Sequence, residues 1–434
     1  MKANLFKGKG GSLDRLLIVM RIMHTSDWHL GKNLEGTKNS RLDEQEKFLA
    51  EFVDIVEKSN IDMVIIAGDI YDNSNPPAMA EKLFYETLKK LSNGGNRAVL
   101  VIAGNHDNPE RLIAAAPLAS EQGVMMLGTP KSVVEPGRYG NFEVVASGEG
   151  WLEVHLKGEK VVIIALPYPS EKRLNEVFIE KDSDEERKNS YSERIGQLFE
   201  SLSSNYREDT INIAVSHIYV MGSDRSDSER QIELGGSLAV EPSALPKKAQ
   251  YIALGHLHRP QRIRGTNLKA YYAGSPIQYS KSEVGYSKSV NVVELKAGSE
   301  AVVEEVYLSN YKPIEIWKCK SIDEALERCK ENSERDIWVY LEIETDEYIS
   351  QEYIKLMNEY RKDIVEIVPK IRGLDQEEEE FQSISDKSIT ELFRDFYISQ
   401  RGVEPREELM EVFAELAYEG EDLGEEEDER LVEE

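Results

Sequence analysis

Histidines, carboxylates and one amide are the residues in this sequence whose types and spacing could do chemistry. Five of the seven histidines come soon after short apolar runs, a recurrence that packing alone does not explain. Asp27, Asp69 and Asn105 stand in the same polar clusters. The five histidines are His29, His106, His217, His256 and His258. The repeated combination of histidine with aspartate or asparagine indicates a metal centre.

The residue types narrow the choice of metal. Imidazole, carboxylate and amide oxygen without thiolate suit Mn²⁺, Fe²⁺ or Zn²⁺ with five or six ligands. About eight ligand groups are too many for one ion and suit two. Two ions roughly 3.5–4 Å apart can hold both the attacking and the leaving oxygen of an in-line displacement. The predicted chemistry is therefore hydrolysis of a phosphoester by a metal-activated water.

Buried strands must position these residues. Apolar, β-branched runs end abruptly in the polar clusters, namely RLLIVMRIMHT, IDMVIIA, AVLVIA, INIAV and YIAL. Helical stretches separate the first strands, and we predict them at 41–59, 77–92 and 109–122. Alternating strands and helices with polar residues at one strand end predict an α/β domain with its site at that end. Later strands such as VVIIALP and VNVVEL lack long helices, so the sheet is predicted to be mixed.

A second unit begins near Tyr311. Its pattern is strand, helix, strand, helix, strand, which predicts a small α+β domain. A charged linker, two short amphipathic helices and an acidic tail follow. The predicted boundaries are an N-terminal extension at 1–19, the main domain at 20–307, the α+β domain at 308–373, the linker at 374–386, the helices at 387–418 and the tail at 419–434.

Composition excludes several classes of protein. The hydrophobic share is 40% and the charged share 31%, as in a globular protein. No apolar run reaches the roughly 20 residues that span a bilayer, and the N-terminus does not read as a signal peptide. Cys319 and Cys329 are the only cysteines and form no CxxC pair, which predicts a cytoplasmic protein without a zinc or disulfide framework.

The net charge of −28 is concentrated near the C-terminus. Residues 374–434 hold 23 acidic and 5 basic residues, whereas the rest of the chain holds 58 acidic and 48 basic residues. The total charge therefore does not exclude a DNA substrate. It predicts that any contact with DNA is local, or is shared with a partner that supplies positive charge.

The motifs in chain order are DWH (27–29), GDIYD (68–72), GNHD (104–107), SH (216–217) and GHLH (255–258). This set resembles the calcineurin-like metallophosphoesterases, a superfamily with two mixed β-sheets flanked by helices in a four-layer α/β sandwich. The flanking stretches HTSDWHLGK, GNHDNPERL, LGHLHRPQ and YYAGSPIQYS are similar to the SbcD family of bacterial nuclease subunits. The resemblance implies that 308–373 is a capping domain that selects DNA and that 387–418 is a helical hairpin.

The resemblance also implies roles for the site residues. One metal would be held by Asp27, His29 and His258, and Asp69 would bridge to the second. The second metal would be held by Asn105, His217 and His256. His106 would not bind metal and would stabilise or protonate the leaving group. Asp72 departs from the archaeal and eukaryotic relatives, which usually carry histidine there, so we assign it no role.

The function implied is that of a DNA nuclease with two Mn²⁺ ions, with Mg²⁺, Fe²⁺ or Zn²⁺ as alternatives. By this resemblance it is an ATP-dependent 3′→5′ exonuclease on duplex DNA and an endonuclease on single strands and hairpins, in DNA repair, recombination and replication. A small-molecule phosphodiesterase or phosphatase of the same superfamily is the alternative, and it leaves 308–434 without a purpose. A non-catalytic scaffold is disfavoured by the complete set of candidate ligands.

Partners follow from the same resemblance. No Walker motif occurs in the chain, so an ATP-driven nuclease needs its ATPase on another chain. We expect an SbcC-type coiled-coil ATPase to dock on 387–418, where apolar residues recur at helical spacing. We also expect a homodimer of the nuclease chain within a heterotetramer, with the helices at 77–92 and 109–122 as candidates for the contact.

Overall fold

The computed structural model describes most of the 434-residue chain. The described residues are 19–34, 37–174, 184–229, 238–346 and 349–371, with Phe393, Arg394, Leu409, Met410 and Phe413. The predicted linker (374–386) and tail (419–434) lie outside the described residues, as do nearly all of the N-terminal extension (1–19) and most of the helices at 387–418. No helix within the described ranges is long and apolar enough to cross a membrane.

Helices lie between the first four strands, whereas most later strands of the main domain follow one another without an α-helix. The strands are β1 (Met20–Thr25), β2 (Met63–Ala67), β3 (Ala98–Ile102), β4 (Val124–Leu127), β5 (Gly137–Tyr139), β6 (Phe142–Gly148), β7 (Trp151–Leu156), β8 (Glu159–Leu166), β9 (Ile211–His217), β10 (Tyr219–Val220), β11 (Ala239–Val240), β12 (Tyr251–Gly255), β13 (Gln261–Arg262), β14 (Ala270–Tyr272), β15 (Ser289–Leu295), β16 (Val302–Tyr307), β17 (Ile314–Cys319), β18 (Trp338–Thr345) and β19 (Ile364–Ile371). The α-helices are α1 (Leu42–Lys58), α2 (Ala78–Ser92), α3 (Pro109–Ile113), α4 (Ala116–Ser120), α5 (Glu171–Leu174), α6 (Asp184–Leu202), α7 (Ile322–Glu331) and α8 (Gln351–Tyr360).

Two mixed sheets form the middle of the main domain. The first has the strand order β16-β15-β1-β2-β3-β4, in which β1 to β4 are parallel and β15 runs antiparallel to both of its neighbours, β1 and β16. The second has the order β13-β14-β12-β9-β8-β7-β6-β5, in which β8, β9, β12 and β14 run parallel. The predicted pair of mixed sheets is therefore confirmed.

Both faces of the central strands, such as β2, β3 and β12, are buried, which explains the uninterrupted apolar runs. In β1, Ile22 packs between the two sheets, and its neighbour Met23 packs on the opposite side with Phe48 and Phe52 of α1. The outer face of the second sheet packs against α6, for example at Phe199. The order helix, sheet, sheet, helix is the four-layer sandwich that the sequence resemblance implied.

One of the three helix predictions is wrong in its details. The sequence pattern predicts a single helix over 109–122, but the structure has two short helices, α3 and α4. Pro117 is the cause, because its ring clashes with the carbonyl of Ile113, four residues earlier, where α3 ends. The predicted helices at 41–59 and 77–92 are confirmed as α1 and α2, within one residue at each end.

The later part of the chain follows the predicted order of strand, helix, strand, helix, strand. Strands β17, β18 and β19 form a three-stranded sheet in that order. By its contacts the chain divides into two compact units. The first runs through Trp317 and includes Glu334–Tyr340 and Asp363–Glu366, and the second comprises Lys318–Ser333, Leu341–Lys362 and the described residues from Ile367. The boundary at 307/308 stays a prediction.

Candidate metal centre

The strand ends bring the predicted site residues together. Strands β1, β2 and β3 are parallel, as are β9 and β12 of the facing sheet, so their carboxyl ends meet at one edge of the sandwich. Each predicted residue ends one of these strands or follows it within four residues. They are Asp27 and His29 after β1, Asp69 after β2, Asn105 and His106 after β3, His217 at the end of β9, and His256 and His258 after β12.

One cluster joins the loops after β1 and β12. The Nε2 atoms of His29 and His258 are 3.0 Å apart, and both side chains are buried. Asp27 completes the cluster, because ligand atoms of the three residues all lie within 4.8 Å of one another. Asp27 Oδ1 also accepts the backbone N–H of His256 at 2.8 Å, which ties the two loops together.

A second cluster lies beside it. His217 Nε2 and His256 Nδ1 are each 3.0 Å from Asn105 Oδ1, so three candidate ligand atoms converge. The Nδ1–H of His217 donates to the carbonyl of Ala67 at 2.9 Å, which leaves Nε2 to face the cluster. Asp69, His217 and His256 form a group with ligand atoms within 4.8 Å of one another.

Asp69 lies between the two clusters. Its Oδ2 is 3.3 Å from His217 Nε2 in the second cluster and 3.5 Å from His29 Nε2 in the first. Its Oδ1 accepts the backbone N–H of His106 at 2.9 Å, which fixes the direction of the carboxylate. One carboxylate oxygen thus faces histidines of both clusters.

His106 is held differently from the other histidines. Its Nδ1–H donates to the carbonyl of Asp72 at 2.5 Å, which turns Nε2 toward Asp69 Oδ2, 4.0 Å away. The ring stands edge-on to the ring of His29, with centroids 4.6 Å apart. A carboxylate oxygen of Asp72 lies within 4.8 Å of ligand atoms of His29 and His106, and Asp72 Oδ1 is also 3.3 Å from Lys32 Nζ. Asp72 therefore borders the centre.

Strained backbone marks the same residues. Asp27, His29, Asp69 and His256 have φ values of 54°, 44°, 51° and 108°, in the left-handed region that residues with a side chain rarely adopt. Outliers of this kind cluster at functional sites, where the surrounding structure holds them in place.

Glycine is required beside two of these residues. A Cβ at Gly104 would overlap the carboxylate of Asp69, and one at Gly68 would overlap the ring of His217. Gly68 also has a φ of 93°, which favours glycine. The glycines of GDIYD and GNHD therefore allow the neighbouring loops to approach closely.

The electrostatics of the site favour a bound cation. Burial raises the pKa of Asp27 to about 7. Burial alone would lower the pKa of His217, but the facing Asp69 carboxylate outweighs it and raises that pKa to about 9. Burial would raise the pKa of Asp69, but His217 and His106 outweigh it and hold that pKa well below its usual range. Buried carboxylates among converging ring nitrogens are a donor set that fits a divalent metal ion.

Gln45 also supports the site, although it belongs to none of the motifs that predicted the site. Gln45 is fully buried, and its Nε2 donates to the carbonyl of His29 at 2.7 Å and to the hydroxyl of Tyr279 at 2.9 Å. A signal for it exists, because Gln45 stands three residues before Phe48 and seven before Phe52, on the apolar stripe of α1. A polar residue on a buried stripe requires a polar partner, here the loop that carries His29.

Arg173 and Asp107 hold the GNHD turn from two sides. The guanidinium of Arg173 donates to the carbonyls of Gly104 at 2.7 Å and Asp107 at 2.6 Å. The Asp107 carboxylate accepts three backbone N–H groups, from Ile70, Tyr71 and Gly104. The sequence contains no pattern that singles out Arg173, because it lies 66 residues beyond the turn it holds.

Two family profiles match the chain. The profile described as "Calcineurin-like phosphoesterase" matches residues 20–260, which include all eight site residues. The profile described as "Type 5 capsule protein repressor C-terminal domain" matches residues 310–401.

Three relatives are each named as the D component of the nuclease SbcCD. The relative from Bacillus subtilis is 43% identical over 400 residues, which cover 92% of this chain and 98% of that protein. The relative from Staphylococcus epidermidis is 28% identical, over 79% of this chain and 83% of its own. The relative from Rhodobacter capsulatus is 31% identical, over 64% of this chain and 67% of its own.

Proposed function

Since the chain belongs to the calcineurin-like phosphoesterases and, within them, to the SbcD family of nuclease subunits, we propose that it hydrolyses DNA phosphodiester bonds with two divalent metal ions. It is a metal-dependent phosphodiesterase. The observation that carries the two-metal proposal is the position of Asp69, whose Oδ2 faces His29 of one cluster and His217 of the other.

We assign the ligands by cluster. Asp27, His29 and His258 would hold one ion, and Asp69 would bridge to the other. The second ion would be held by Asn105, His217 and His256. When bound, such a pair of ions supplies a water activated for attack and offsets charge on the phosphate oxygens. We propose Mn²⁺ for both positions, with Mg²⁺, Fe²⁺ or Zn²⁺ as alternatives that elemental analysis of the purified protein would distinguish.

We propose that His106 supplies a proton to the leaving oxygen. Its Nδ1–H is held by the carbonyl of Asp72, so the proton available for transfer is the one on Nε2, which faces the site. After the transfer the ring is neutral and still donates from Nδ1. The hydrogen bond to the carbonyl therefore keeps the ring in place throughout the reaction.

The substrate and activities are tested with the purified chain, alone and with an SbcC-type ATPase. We expect Mn²⁺-dependent endonuclease cleavage of single strands and hairpins, and ATP-dependent 3′→5′ digestion of duplex DNA when the ATPase is present. A generic phosphodiester serves as the comparison substrate. Hydrolysis of that ester without any cleavage of DNA, alone or with the ATPase, would favour a small-molecule phosphodiesterase instead.

We propose that residues 308–373 cap the site and select DNA. The segment contains no histidine, and its described residues form no group of metal ligands. Within the first compact unit, its residues Ile314, Trp338 and Tyr340 pack with Leu34, which lies five residues after the candidate ligand His29 in the sequence. Such a segment can influence which substrate enters but cannot supply the metal chemistry.

Metal binding is expected to strengthen with pH. A metal ion competes with the proton that His217 carries below about pH 9 and with the proton that Asp27 carries below about pH 7. From pH 7 to pH 9 the affinity should rise about tenfold per pH unit at the cluster of His217, with one proton released. Below pH 7 the affinity of the cluster of Asp27 should also fall. Calorimetric titration of the metal-free protein with Mn²⁺ at pH 6, 7 and 8 measures this, and an affinity independent of pH would contradict it.

We propose that the ATPase docks on residues 387–418. Phe393 and Phe413, one from each predicted helix, have parallel rings with centroids 3.8 Å apart, so the two stretches meet. Replacing Phe393, Phe396 and Phe413 by Ser should abolish co-purification with an SbcC-type ATPase, because apolar contact is lost. Basal Mn²⁺-dependent cleavage should survive. Arg394→Ser, next to Phe393, is the control that should retain the ATPase, and an intact complex in the triple variant would refute the docking site.

We infer a homodimer through α2 and α4, within a heterotetramer in the cytoplasm. These helices expose Met79 and Leu118, which are 50% and 76% accessible. A dimer contact through these helices would remove both apolar side chains from water. Met79→Ser with Leu118→Ser should shift the mass measured by light scattering from dimer to monomer. Val133→Ser, an exposed apolar residue outside these helices, should leave the mass unchanged.

A further inference from the structure

His258 is held by three side chains from outside its own loop. Its backbone N–H donates to Glu229 Oε1 at 2.8 Å, and its carbonyl accepts from Lys288 Nζ at 2.9 Å. Its Nδ1 is 2.6 Å from Ser228 Oγ. Every polar atom of the residue except Nε2 is therefore occupied. Nε2 is left to face His29 at 3.0 Å.

The carboxylate of Glu283 decides which way these hydrogen bonds point. Glu283 is fully buried and ion-paired with Lys288, so it acts as an acceptor only. It accepts from Tyr279 N at 3.1 Å, from Ser275 Oγ at 3.3 Å and from the hydroxyl of Ser228. The hydroxyl of Ser228 has a single proton, and that proton is donated to Glu283.

Ser228 Oγ must then accept a proton from His258. Its distance of 2.6 Å to Nδ1 is a hydrogen-bond distance, and its own proton already points to Glu283. The hydroxyl of Ser226 also lies 3.1 Å from Ser228 Oγ, but the charged carboxylate of Glu283 is the stronger acceptor for the single proton of Ser228. Glu283 Oε1 is 3.5 Å from Nδ1, beyond a direct hydrogen bond, but its charge also favours a proton there. His258 is therefore the tautomer with hydrogen on Nδ1 and a free lone pair on Nε2.

We propose that Ser228 and Glu283 are positioning residues that select the metal-binding tautomer of His258. The inference rests on the proposed function in that it takes His258 Nε2 as a metal ligand. His217 reaches the same tautomer through the backbone carbonyl of Ala67, whereas His258 depends on side chains. Partners of this kind fix the orientation of a ligating histidine and raise its basicity.

The buried ion pair of Glu283 and Lys288 also gains an explanation. The side chains are 0% and 5% exposed, and a buried pair of this kind contributes little net stability compared with apolar residues. The pair touches His258 twice, through Ser228 on Nδ1 and directly on the carbonyl. It thus fixes both the ring and the backbone of one candidate ligand.

The tautomer is measured first, in the metal-free wild-type protein. Long-range ¹H–¹⁵N NMR of the histidine rings, with His258 assigned from its absence in His258→Gln, reports which nitrogen carries hydrogen. We expect hydrogen on Nδ1 and none on Nε2. Hydrogen on Nε2 alone would overturn the proposal, whatever the variants below do.

The variants test the consequence for metal binding. In Ser228→Ala, the affinity for one of the two Mn²⁺ ions, measured by calorimetry, should fall about 10–100-fold. The affinity for the other ion should stay unchanged. kcat should fall with little change in KM. Ser228→Thr, which keeps the hydroxyl, should restore both the Mn²⁺ affinity and kcat. Glu283→Gln should act in the same direction, because an amide can donate to Ser228 and free it to donate to His258.

Ser203→Ala is the matched control. Ser203 is as buried as Ser228, at 2% exposure, but its hydroxyl bonds only to the carbonyl of Phe199, in the helix α6 that directly precedes it. Unchanged Mn²⁺ affinity in both Ser228→Ala and Glu283→Gln would overturn the proposal. If the wild-type protein binds two ions but cleaves no DNA, the proposed nuclease function fails and the tautomer result still stands.

Discussion

Replacing His106 by glutamine is expected to slow cleavage of DNA roughly 10²–10⁴-fold while the protein still binds two divalent ions. The Nδ1–H of His106 is held by the carbonyl of Asp72, so the ring presents Nε2 to the site. Glutamine is similar in size but cannot release a proton to the leaving oxygen. The variant should therefore lose the proton transfer and keep the metal centre.

A change of leaving group isolates that step. Nitrophenolate departs without a proton, so a nitrophenyl phosphodiester should be cleaved by His106→Gln with a much smaller loss than DNA. Single-turnover rates on both substrates and calorimetric counting of Mn²⁺ measure the effect. His155→Gln, on a half-exposed histidine of β7, should change neither quantity. Loss of an ion in His106→Gln would make His106 a ligand, in line with its grouping with His29 and Asp72.

Asp69→Asn is expected to affect the metal centre itself. The variant should lose at least one of the two ions and essentially all cleavage of DNA. Asp69 Oδ2 faces histidines of both clusters, so its charge is the one that both ions would share. An amide keeps the shape but removes the negative charge and can offer only one acceptor oxygen. Metal affinity should fall by more than about 100-fold. A loss of about 10–100-fold is typical when the residue removed only supports a ligand, so a larger loss indicates a ligand.

Calorimetry with Mn²⁺ and elemental analysis of the dialysed protein count the remaining ions. Asp62→Asn is the control, because Asp62 is also buried but pairs with the backbone of Arg21 and with Lys157. It should change stability without changing the metal content. Two ions bound at unchanged affinity in Asp69→Asn would show that Asp69 does not bridge them.

Much of the site was readable from the sequence because its residues stand at the ends of buried strands. The apolar runs before Asp27, Asp69 and Asn105 each end in a polar cluster, and parallel strands bring such ends to one edge. GNHD and GHLH carried the resemblance to the phosphoesterase family, and the family profile agrees. The prediction of one helix over 109–122 is wrong, because Pro117 breaks the helix that the surrounding residues favour.

The sequence by itself determined which residue types stand at which strand ends, because periodic burial is a local property of the chain. Only the tertiary structure decided what surrounds them. Ser228 and Glu283 meet at His258 from 30 residues before it and 25 residues after it. The left-handed backbone of His256 likewise depends on the loops packed around it. A buried polar group needs a hydrogen-bond partner, but the amino-acid sequence does not show which residue that partner is. Hydrogen bonds between loops depend on how the two sheets pack against each other.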